Sequence, residues 1–458
     1  MGSAVIPDPS ANHPEEAVLM RSLLISLAAL IVSFTVLLAG NSLQFVVLGL
    51  RADIEGFSVE AMGVITACYF LGAGLGAYFG PRIVASAGHI RTFAALASVV
   101  SGVTLAHPLL PEPAAWGVMR LATGFCFAGL YMVVESWLNA RTTNELRGRV
   151  LSVYGTASFA GYTAGPLLTG LGSSDGFVLF IVASMMVSFA LVPVTLTRAS
   201  APVMERREEE EVTGGGRLNL ARLYKETPLG VAGVVLLGAA QGTYLGLGPV
   251  FGSQIGLDAQ WISIFVAVGL FVGLCLQYPI GWASDRFDRR FTIMAVAAAG
   301  GMLCVGAYLA LTLLAPSPAL AVAGAGLAGL SIFPLYAVVL AYTNDRLPQT
   351  SLVAAAAALA LSFAIGSSIG PPLASAAMSG FGPPAFFLAI AVSMFALAAF
   401  AGYRMLRRAA PQRREGEETP APTVGASPGL IPLDPYYDEA DEEDGEARWQ
   451  DDRARETS

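Results

Sequence analysis

The sequence predicts an all-α integral membrane protein with twelve transmembrane helices in two pseudo-symmetric six-helix bundles and both termini in the cytoplasm. Three observations support this fold class: an apolar composition, an internal duplication and a one-sided distribution of basic residues. The 458 residues are 55% hydrophobic and only 13% charged, and their mean hydropathy is +0.62. Soluble domains carry about 25% charged residues, so most of this chain is expected to lie in a bilayer.

Long apolar segments define the predicted spans, because a hydrocarbon core about 30 Å thick takes roughly 20 helical residues to cross. All of them are uncharged except 113–140, which carries Arg120 and Glu135. In chain order the segments are 22–50, 61–81, 92–111, 113–140, 150–174, 176–197, 227–257, 259–284, 291–344 and 347–403. The last two are each long enough for two spans, and proline-containing turns at 316–318 and 380–384 divide them. The segments are rich in glycine and alanine and do not alternate, which favours helices over a membrane β-barrel.

The chain is internally duplicated. Residues 39–91 recur at 239–291, and residues 124–166 recur at 329–371. Matched positions include Asn41 and Gln241, Tyr131 and Tyr336, Asn139 and Asn344, and Gly165-Pro166 and Gly370-Pro371. Arg120 and Glu135 have no counterpart, since Ala325 and Leu340 occupy the equivalent positions. A repeated scaffold with membrane charges in one copy indicates that the functional chemistry lies in the first half.

The basic residues that flank the spans lie on one side of the predicted membrane, with Arg51 as the exception. By the positive-inside rule that side is the cytoplasm. The predicted domains are a cytoplasmic segment 1–20, a first bundle 21–197, a cytoplasmic linker 198–227, a second bundle 228–406 and a disordered acidic tail 407–458. Within the tail, residues 434–458 carry a net charge of −8, which equals the net charge of the whole chain. The tail is interpreted either as solubilising or as binding a partner.

Several classes of function are excluded by missing residue types. A Walker A loop needs a lysine after its glycines, and Lys225 is the only lysine in the chain. The four cysteines are scattered singly through apolar segments, and there are three histidines. No metal cluster, cofactor site or nucleophile with an adjacent base is visible. The chain is therefore expected not to be an enzyme, to need no cofactor and to bind no nucleic acid.

Residues 281–290, GWASDRFDRR, resemble the GxxxDRxGRR signature of the major facilitator superfamily, the two-bundle secondary transporters. The resemblance implies that this cytoplasmic turn takes part in gating. Its predicted gating residues are Gly281, Asp285, Arg286, Asp288, Arg289 and Arg290. An acidic residue here caps a helix end and pairs with arginine, although cytoplasmic anchoring alone is an alternative interpretation.

The equivalent turn of the first half departs from this signature. Ala85 and Ser86 stand where the family has aspartate and arginine. Gating by the first half is therefore expected to depend on His89, Arg91 or Asn139.

The fourth predicted span carries a second resemblance. Arg120 and Gly124, followed by Ala128-Gly129, resemble the superfamily's span-four motif, whose arginine is associated with proton coupling. Residues 133–139, VVESWLN, together with Arg147-Gly148-Arg149, are similar to the YcaD-like bacterial branch of the superfamily. That branch implies a transporter without naming a solute.

Arg120 and Glu135 are the predicted proton-coupling residues. An ionised group at the bilayer centre costs roughly 2.5 to 3.5 kcal/mol, so it survives where it faces a cavity, a partner or water. Their spacing places them about 60° apart around the helix and about 22 Å apart along it, so they cannot pair. The alternatives are an ion pair of Glu135 with Arg141, Arg149 or the basic loop between spans two and three, and a headgroup or loop contact of Arg120.

In the superfamily, spans one, four, seven and ten line the central cavity, as the resemblance implies. The predicted cavity residues are Asn41, Gln44, Tyr131, Gln241, Tyr244 and Tyr336. These side chains offer hydrogen bonds and aromatic surface to a small organic solute. Hydrogen bonding between helices is the alternative for each of them.

The resemblance implies that spans two and eleven, and spans five and eight, meet between the bundles, and glycine-rich faces are expected there. The stripe Gly72, Gly76 and Gly80 lies on span two, and Gly366 and Gly370-Pro371 lie on span eleven. On span five, Gly161 and Gly165-Pro166 are expected to face Gly269 and Gly273 of span eight. Gly165, Pro166, Gly370 and Pro371 are therefore added to the predicted gating residues.

Together these patterns predict a secondary active transporter of the bacterial inner membrane. It is expected to act as a monomer in the lipid bilayer and to move a small organic solute by alternating access, coupled to protons. The alternative function is a non-transporting membrane sensor or scaffold that signals through its acidic tail.

Overall fold

The computed structural model describes residues 13–142, 144–196, 220–314, 316–347 and 352–407. Most of the predicted linker, the acidic tail after residue 407 and the first twelve residues lie outside this part of the chain. The described residues form helices joined by short turns, as the sequence predicts for a helical membrane protein.

The first half contains seven helices in the described residues. They are α1 (His13–Ile54), α2 (Val59–Ala87), α3 (His89–Ala106), α4 (Pro113–Arg141), α5 (Asn144–Leu167), α6 (Val178–Phe189) and α7 (Leu191–Leu196). The helices of the second half are α8 (Leu220–Glu226), α9 (Pro228–Gln254), α10 (Ala259–Arg286), α11 (Arg289–Leu313), α12 (Pro318–Ile332), α13 (Pro334–Asn344), α14 (Leu352–Phe381) and α15 (Ala385–Arg407).

Eleven segments of the described residues are long and apolar enough to cross a membrane. Two of them combine a pair of helices, since α6 with α7 and α12 with α13 each form one such segment. The remaining predicted span corresponds to α5, a helix of 24 residues that is not among the eleven.

The two halves use the same pattern of helix packing. In the first half α2 packs on α4, α1 on α5 and α3 on α6. The equivalent pairs of the second half, α10 with α12, α9 with α14 and α11 with α15, pack in the same way. Repeated sequence thus produces repeated tertiary contacts, as expected for two related bundles.

The duplication extends to helix caps and turns. The Ser58 hydroxyl accepts a hydrogen bond from the Ala61 amide at the start of α2, and Asp258 caps α10 in the same way. Gly56 and Gly256 precede these caps with φ of +72° and +79°, a region that glycine enters without steric cost. We call this side of the molecule the Gly56 end, and the opposite side, with the α10–α11 turn, the Asp288 end.

The halves meet mainly through the helix pairs α2 with α14, α5 with α10, and α1 with α9, and α2 also packs on α9. At the Gly56 end the Thr169 and Ser263 hydroxyl oxygens lie 2.5 Å apart. Gly49 approaches Pro249 in the same region, since a Cβ at Gly49 would lie 2.5 Å from the Pro249 Cβ. The halves are therefore in direct contact at the Gly56 end.

The prediction that the glycine stripes face the opposite bundle is wrong. A Cβ at Gly72 or Gly76 would meet backbone carbonyls of α4, at Leu121 and Phe125, within the same half. The stripes of α5 and α14 likewise lie against α1 and α9 of their own halves. The contacts concerned are Gly161 with Thr35, Gly165 with Ala39, Gly366 with Val235 and Gly370 with Ala239.

Gly269 and Gly273 of α10 face α12 and Phe333, also in their own half. The glycines allow backbone-to-backbone contact inside each bundle, where the helices stay together. Between the bundles, Gly63 lies against Ser375, and Gly74 against Ala364.

Gly124 offers a test of this packing. A Cβ at this position would overlap the carbonyl oxygen of Tyr69 on α2, so Gly124→Ala must separate α2 from α4. We expect a loss of about 1–3 kcal/mol in stability, measured as a lower midpoint of thermal unfolding in detergent. Gly102→Ala is the matched control, because a Cβ at Gly102 meets no atom within 4 Å. Equal midpoints for the two variants would contradict the contact.

Candidate functional site

Arg120 lies inside the first half, on α4, with 1% of its surface exposed. Its guanidinium carbon is 4.1 Å from the ring centre of Phe45 and 4.2 Å from that of Tyr69. One guanidinium nitrogen donates to the Gln44 side-chain oxygen at 3.4 Å. Aromatic faces attract cations, so the two rings and the amide partly replace the water that Arg120 loses. This burial differs from the headgroup contact considered as an alternative.

A network of tyrosines and one amide joins α1, α2, α4 and α5. Asn41 donates to the Tyr69 hydroxyl at 3.1 Å and to the Tyr162 hydroxyl at 3.5 Å. Tyr131 in turn donates to the Tyr162 hydroxyl at 3.1 Å. Two predicted cavity residues, Asn41 and Tyr131, are thereby brought together through a third side chain.

Glu135 is also buried on α4, with 2% of its surface exposed. Its carboxylate accepts a hydrogen bond from the Tyr154 hydroxyl at 3.2 Å. The charge of this carboxylate also acts on Tyr336 of the second half. The proposed ion-pair partners Arg141 and Arg149 have side chains outside the described residues. The carboxylate therefore has a phenol partner and lies near a residue of the other bundle.

A cavity lies between the halves, lined by residues of α1, α2, α4, α5, α9 and α14. Tyr69, Tyr131 and Tyr162 contribute from the first half, and Phe363 contributes from the second. On α4, Tyr131 stands between Arg120 and Glu135 in sequence. The two buried ionisable residues therefore flank the helix segment that lines the cavity.

The second-half residues predicted for the cavity are engaged elsewhere. Gln241 donates to the Ile332 carbonyl at 2.6 Å, and Tyr244 donates to the Phe265 carbonyl at 2.8 Å. These are bonds between helices, the alternative considered for such residues. Tyr336 packs edge-on against Phe363 at 5.4 Å and so lies behind a ring that lines the cavity.

Sequence reasoning missed Tyr69, Tyr154 and Tyr162. The duplication carries a signal for all three, because Gly269, Leu359 and Ser367 occupy the equivalent positions of the second copy. The asymmetry that marked Arg120 and Glu135 thus extends to their aromatic neighbours. Comparing every polar residue across the two copies would have found them.

The predicted gating turn forms a charge cluster at the Asp288 end. Arg289 bonds Asp285 at 3.0 Å and Asp345, at the end of α13, also at 3.0 Å. Arg290 pairs with Asp288 at 2.8 Å. The cluster joins the α10–α11 turn to the end of α13.

The other residues of this turn and its first-half equivalent have different surroundings. Arg286 lies 5.2 Å from the ring of Trp282, and a Cβ at Gly281 would meet no atom within 4 Å.

In the first half His89 bonds the Ser136 hydroxyl at 2.9 Å, which ties α3 to the residue after Glu135. The side chain of Asn139 lies outside the described residues.

Asp288 gives a pH-dependent prediction. Hydrogen bonds from the Arg290 side chain hold the pKa of the Asp288 carboxyl below its ordinary value. A depressed pKa stabilises the folded state above the unfolded value of about 3.9, and this contribution is lost as the pH falls through the folded pKa. We expect Asp288→Ala to lower the thermal midpoint at pH 7 by an amount equivalent to about 1–2 kcal/mol.

The same substitution is expected to cost less once the pH falls below the depressed folded pKa of Asp288, where the carboxyl is protonated in both states. Asp53→Ala serves as the control, because Asp53 is exposed. An identical cost of Asp288→Ala at both pH values would contradict the assigned pair.

Known proteins share both the sequence pattern and the fold. The pattern of the Major Facilitator Superfamily matches residues 25–330 and 272–436. The chain is 28% identical over 334 residues to the MFS-type transporter YcaD of Escherichia fergusonii, covering 73% of this chain and 84% of that protein. It is 27% identical over 341 residues to YcaD of an Escherichia coli strain, covering 74% and 86%.

Solved structures of low sequence identity have the same fold. The nucleoside transporter NupG superposes with a TM-score of 0.68 at 14% identity, covering 84% of this chain and 99% of that chain. A D-xylose-proton symporter superposes with a TM-score of 0.61 at 16% identity, covering 82% and 96%. The relatives are named as transporters, in agreement with the prediction that the chain is not an enzyme. On the sequence pattern and the shared fold together, the chain belongs to the Major Facilitator Superfamily.

Proposed function

We propose that this protein is a proton-coupled secondary transporter that moves a small organic solute by alternating access. In this proposal twelve helices span the bacterial inner membrane as bundles 21–197 and 228–406, with both termini in the cytoplasm. α5 supplies the twelfth span, since its 24 residues pack against α1 and α10. A monomer suffices, because one chain contains the whole cavity.

The observation that carries the proposal is the buried carboxylate beside a cavity between the two bundles. Glu135 lies one helical turn from Tyr131, which lines the cavity. A partly desolvated carboxylate takes up a proton more readily than one in water. Protonation of Glu135 would change its interaction with Tyr154 and with the Tyr336 region of the second bundle, so it provides a link between proton binding and bundle movement.

Alternating access requires contacts that form on one side of the membrane and break on the other. We assign the contact between Thr169 and Ser263 to the closed periplasmic side. The charge cluster at the Asp288 end is assigned to the cytoplasmic gate, where separation of Arg289 from Asp345 would free α13 to move. Ion pairs that reorganise between states are a recurrent means of switching.

Purified protein reconstituted into lipid vesicles tests this function. With a pH-sensitive dye inside the vesicles, addition of a transported solute is expected to move protons across the membrane. A panel of nucleosides, sugars, amino acids and organic acids covers the main classes of small solute. If vesicles that contain folded protein show no proton movement with any solute of this panel, the result would count against transport and favour the sensor alternative.

A further inference from the structure

Two arginines are fully buried in the described part of the chain, Arg120 and Arg290, and their partners differ. Arg51, Arg289 and Arg290 each pair with a carboxylate. Among the described residues Arg120 has no such partner, and its contacts are two rings and one amide oxygen. A buried charge without a counter-charge is costly. The site therefore carries a positive charge that an anion would neutralise.

The unpartnered atoms around Arg120 are hydrogen-bond donors. One guanidinium nitrogen of Arg120 and the amide nitrogen of Gln44 are both buried and make no hydrogen bond. Both side chains are at least nine-tenths buried, with exposures of 1% and 2%. Two N–H donors beside a positive charge match the two oxygen atoms of a carboxylate, which accepts hydrogen bonds and donates none.

The donors lie beside the cavity. Phe45 and Tyr69, whose rings contact the guanidinium, also line the cavity wall. A solute in the cavity would have to displace these two rings to reach Arg120. Its body then packs against Phe70, Tyr162 and Phe363, which line the same cavity. The chemistry of this lining suits an apolar or aromatic body, and the cavity, about 60 Å³ in this structure, must widen to admit one.

A nearby acceptor adds a second feature of the solute. The Asn41 side-chain oxygen is buried without a hydrogen-bond partner, one turn before Gln44 on α1. It suits a hydroxyl or N–H group on the solute body.

We propose that Arg120 and Gln44 form the anion-binding end of the central cavity, and that the solute is an organic monocarboxylate with an apolar or aromatic body. This inference rests on the proposed transport function and names its substrate class. It gives Arg120 a direct contact with solute, while Glu135 remains the proton-binding group. A single unpaired charge at the site selects one carboxylate.

Matched acids and amides test the charge requirement. The probes are benzoate, 4-hydroxybenzoate and phenylacetate, each compared with its neutral primary amide, which has nearly the same shape. Binding to full-length protein in detergent at pH 7 is measured by thermal stabilisation across a concentration series. We expect at least one acid to stabilise the protein at a concentration tenfold or more below that of its amide.

Three variants separate the anion contact from a structural role. Arg120→Gln is expected to weaken acid binding at least tenfold and to remove the preference for acid over amide. Arg120→Lys keeps the charge but lacks the planar pair of donors, so it is expected to keep the preference with weaker binding. Arg120→Lys also tests the anion contact if Arg120→Gln does not fold. Arg222→Gln, at an exposed arginine on α8, is the control and is expected to bind as the wild type does.

Each other outcome overturns a defined part of the proposal. Equal binding of acids and amides, or full acid binding in folded Arg120→Gln, would overturn the anion site. Failure of every acid and amide to bind wild-type protein would also overturn the assigned solute class. If the vesicle panel identifies a neutral solute whose transport Arg120→Gln leaves unchanged, the transport function stands and the anion site does not. If acids bind with the expected preference but are never transported, the anion site stands and the transport function does not.

Discussion

Glu135→Gln is expected to abolish proton-driven solute accumulation while leaving exchange of solute across the membrane intact. Glutamine has nearly the same size and still accepts a hydrogen bond from Tyr154, which lies 3.2 Å from the native carboxylate. It cannot bind a proton, so it separates solute movement from proton movement. A pH difference of one unit stores about 1.4 kcal/mol per proton, or about tenfold accumulation. We expect the variant to lose this entire factor.

The measurement compares two assays in the same vesicles. One is uptake driven by an imposed pH gradient, and the other is exchange of labelled for unlabelled solute at equal pH. Glu112→Gln, at an exposed carboxylate before α4, is the control and should retain both activities. Gradient-driven accumulation by folded Glu135→Gln would remove Glu135 from the coupling mechanism. Loss of folded protein in this variant alone would instead support the structural ion pair with Arg141 or Arg149.

A disulfide between Thr169→Cys and Ser263→Cys is expected to stop transport completely and reversibly. The two hydroxyl oxygens are 2.5 Å apart, and they join the first half to the second at the Gly56 end. A disulfide needs Cβ atoms within about 4.5 Å, and side chains whose hydroxyl oxygens touch would bring two cysteine sulfurs at these positions close together. Because alternating access requires the Gly56 end to open, a covalent link there holds the protein in one state.

The native cysteines Cys68, Cys126, Cys275 and Cys304 are free and are first replaced so that only the new pair can react. Oxidation should then block uptake in vesicles, and a reducing agent should restore it. Ser101→Cys with Ser184→Cys is the matched control: these hydroxyls are 2.7 Å apart, but both lie in the first half. Normal uptake by fully cross-linked Thr169→Cys/Ser263→Cys protein would show that this end does not open during transport.

The overall architecture could be predicted because its signals are local. The apolar segments predict most of the helices, with ends that differ from the observed ones by up to nine residues. The internal repeat predicts two related bundles, and both halves do pack their helices in the same three pairs. Even the turn glycines Gly56 and Gly256 adopt the same backbone conformation. Local sequence is sufficient for these features, since helix formation and capping depend on neighbouring residues.

Helix partners were harder to predict than helices. A stripe such as Gly72 and Gly76 shows that another backbone approaches closely, but it does not identify the approaching helix. The structure assigns these glycines to α4 within their own half, and it assigns Gly366 and Gly370 to α9. The prediction of a glycine-lined interface between bundles failed because one small-residue pattern serves either kind of contact.

Sequence alone determined that the chain is a helical membrane protein, that it is duplicated, and that the membrane charges Arg120 and Glu135 occur in one copy. Only the tertiary structure decided which polar groups meet. Asn41 reaches Tyr162 across 121 residues of sequence, and Arg120 reaches Gln44 across 76. Such contacts depend on how separate helices rotate and pack against one another. That arrangement is fixed by the whole bundle, so the pattern within any single helix does not contain it.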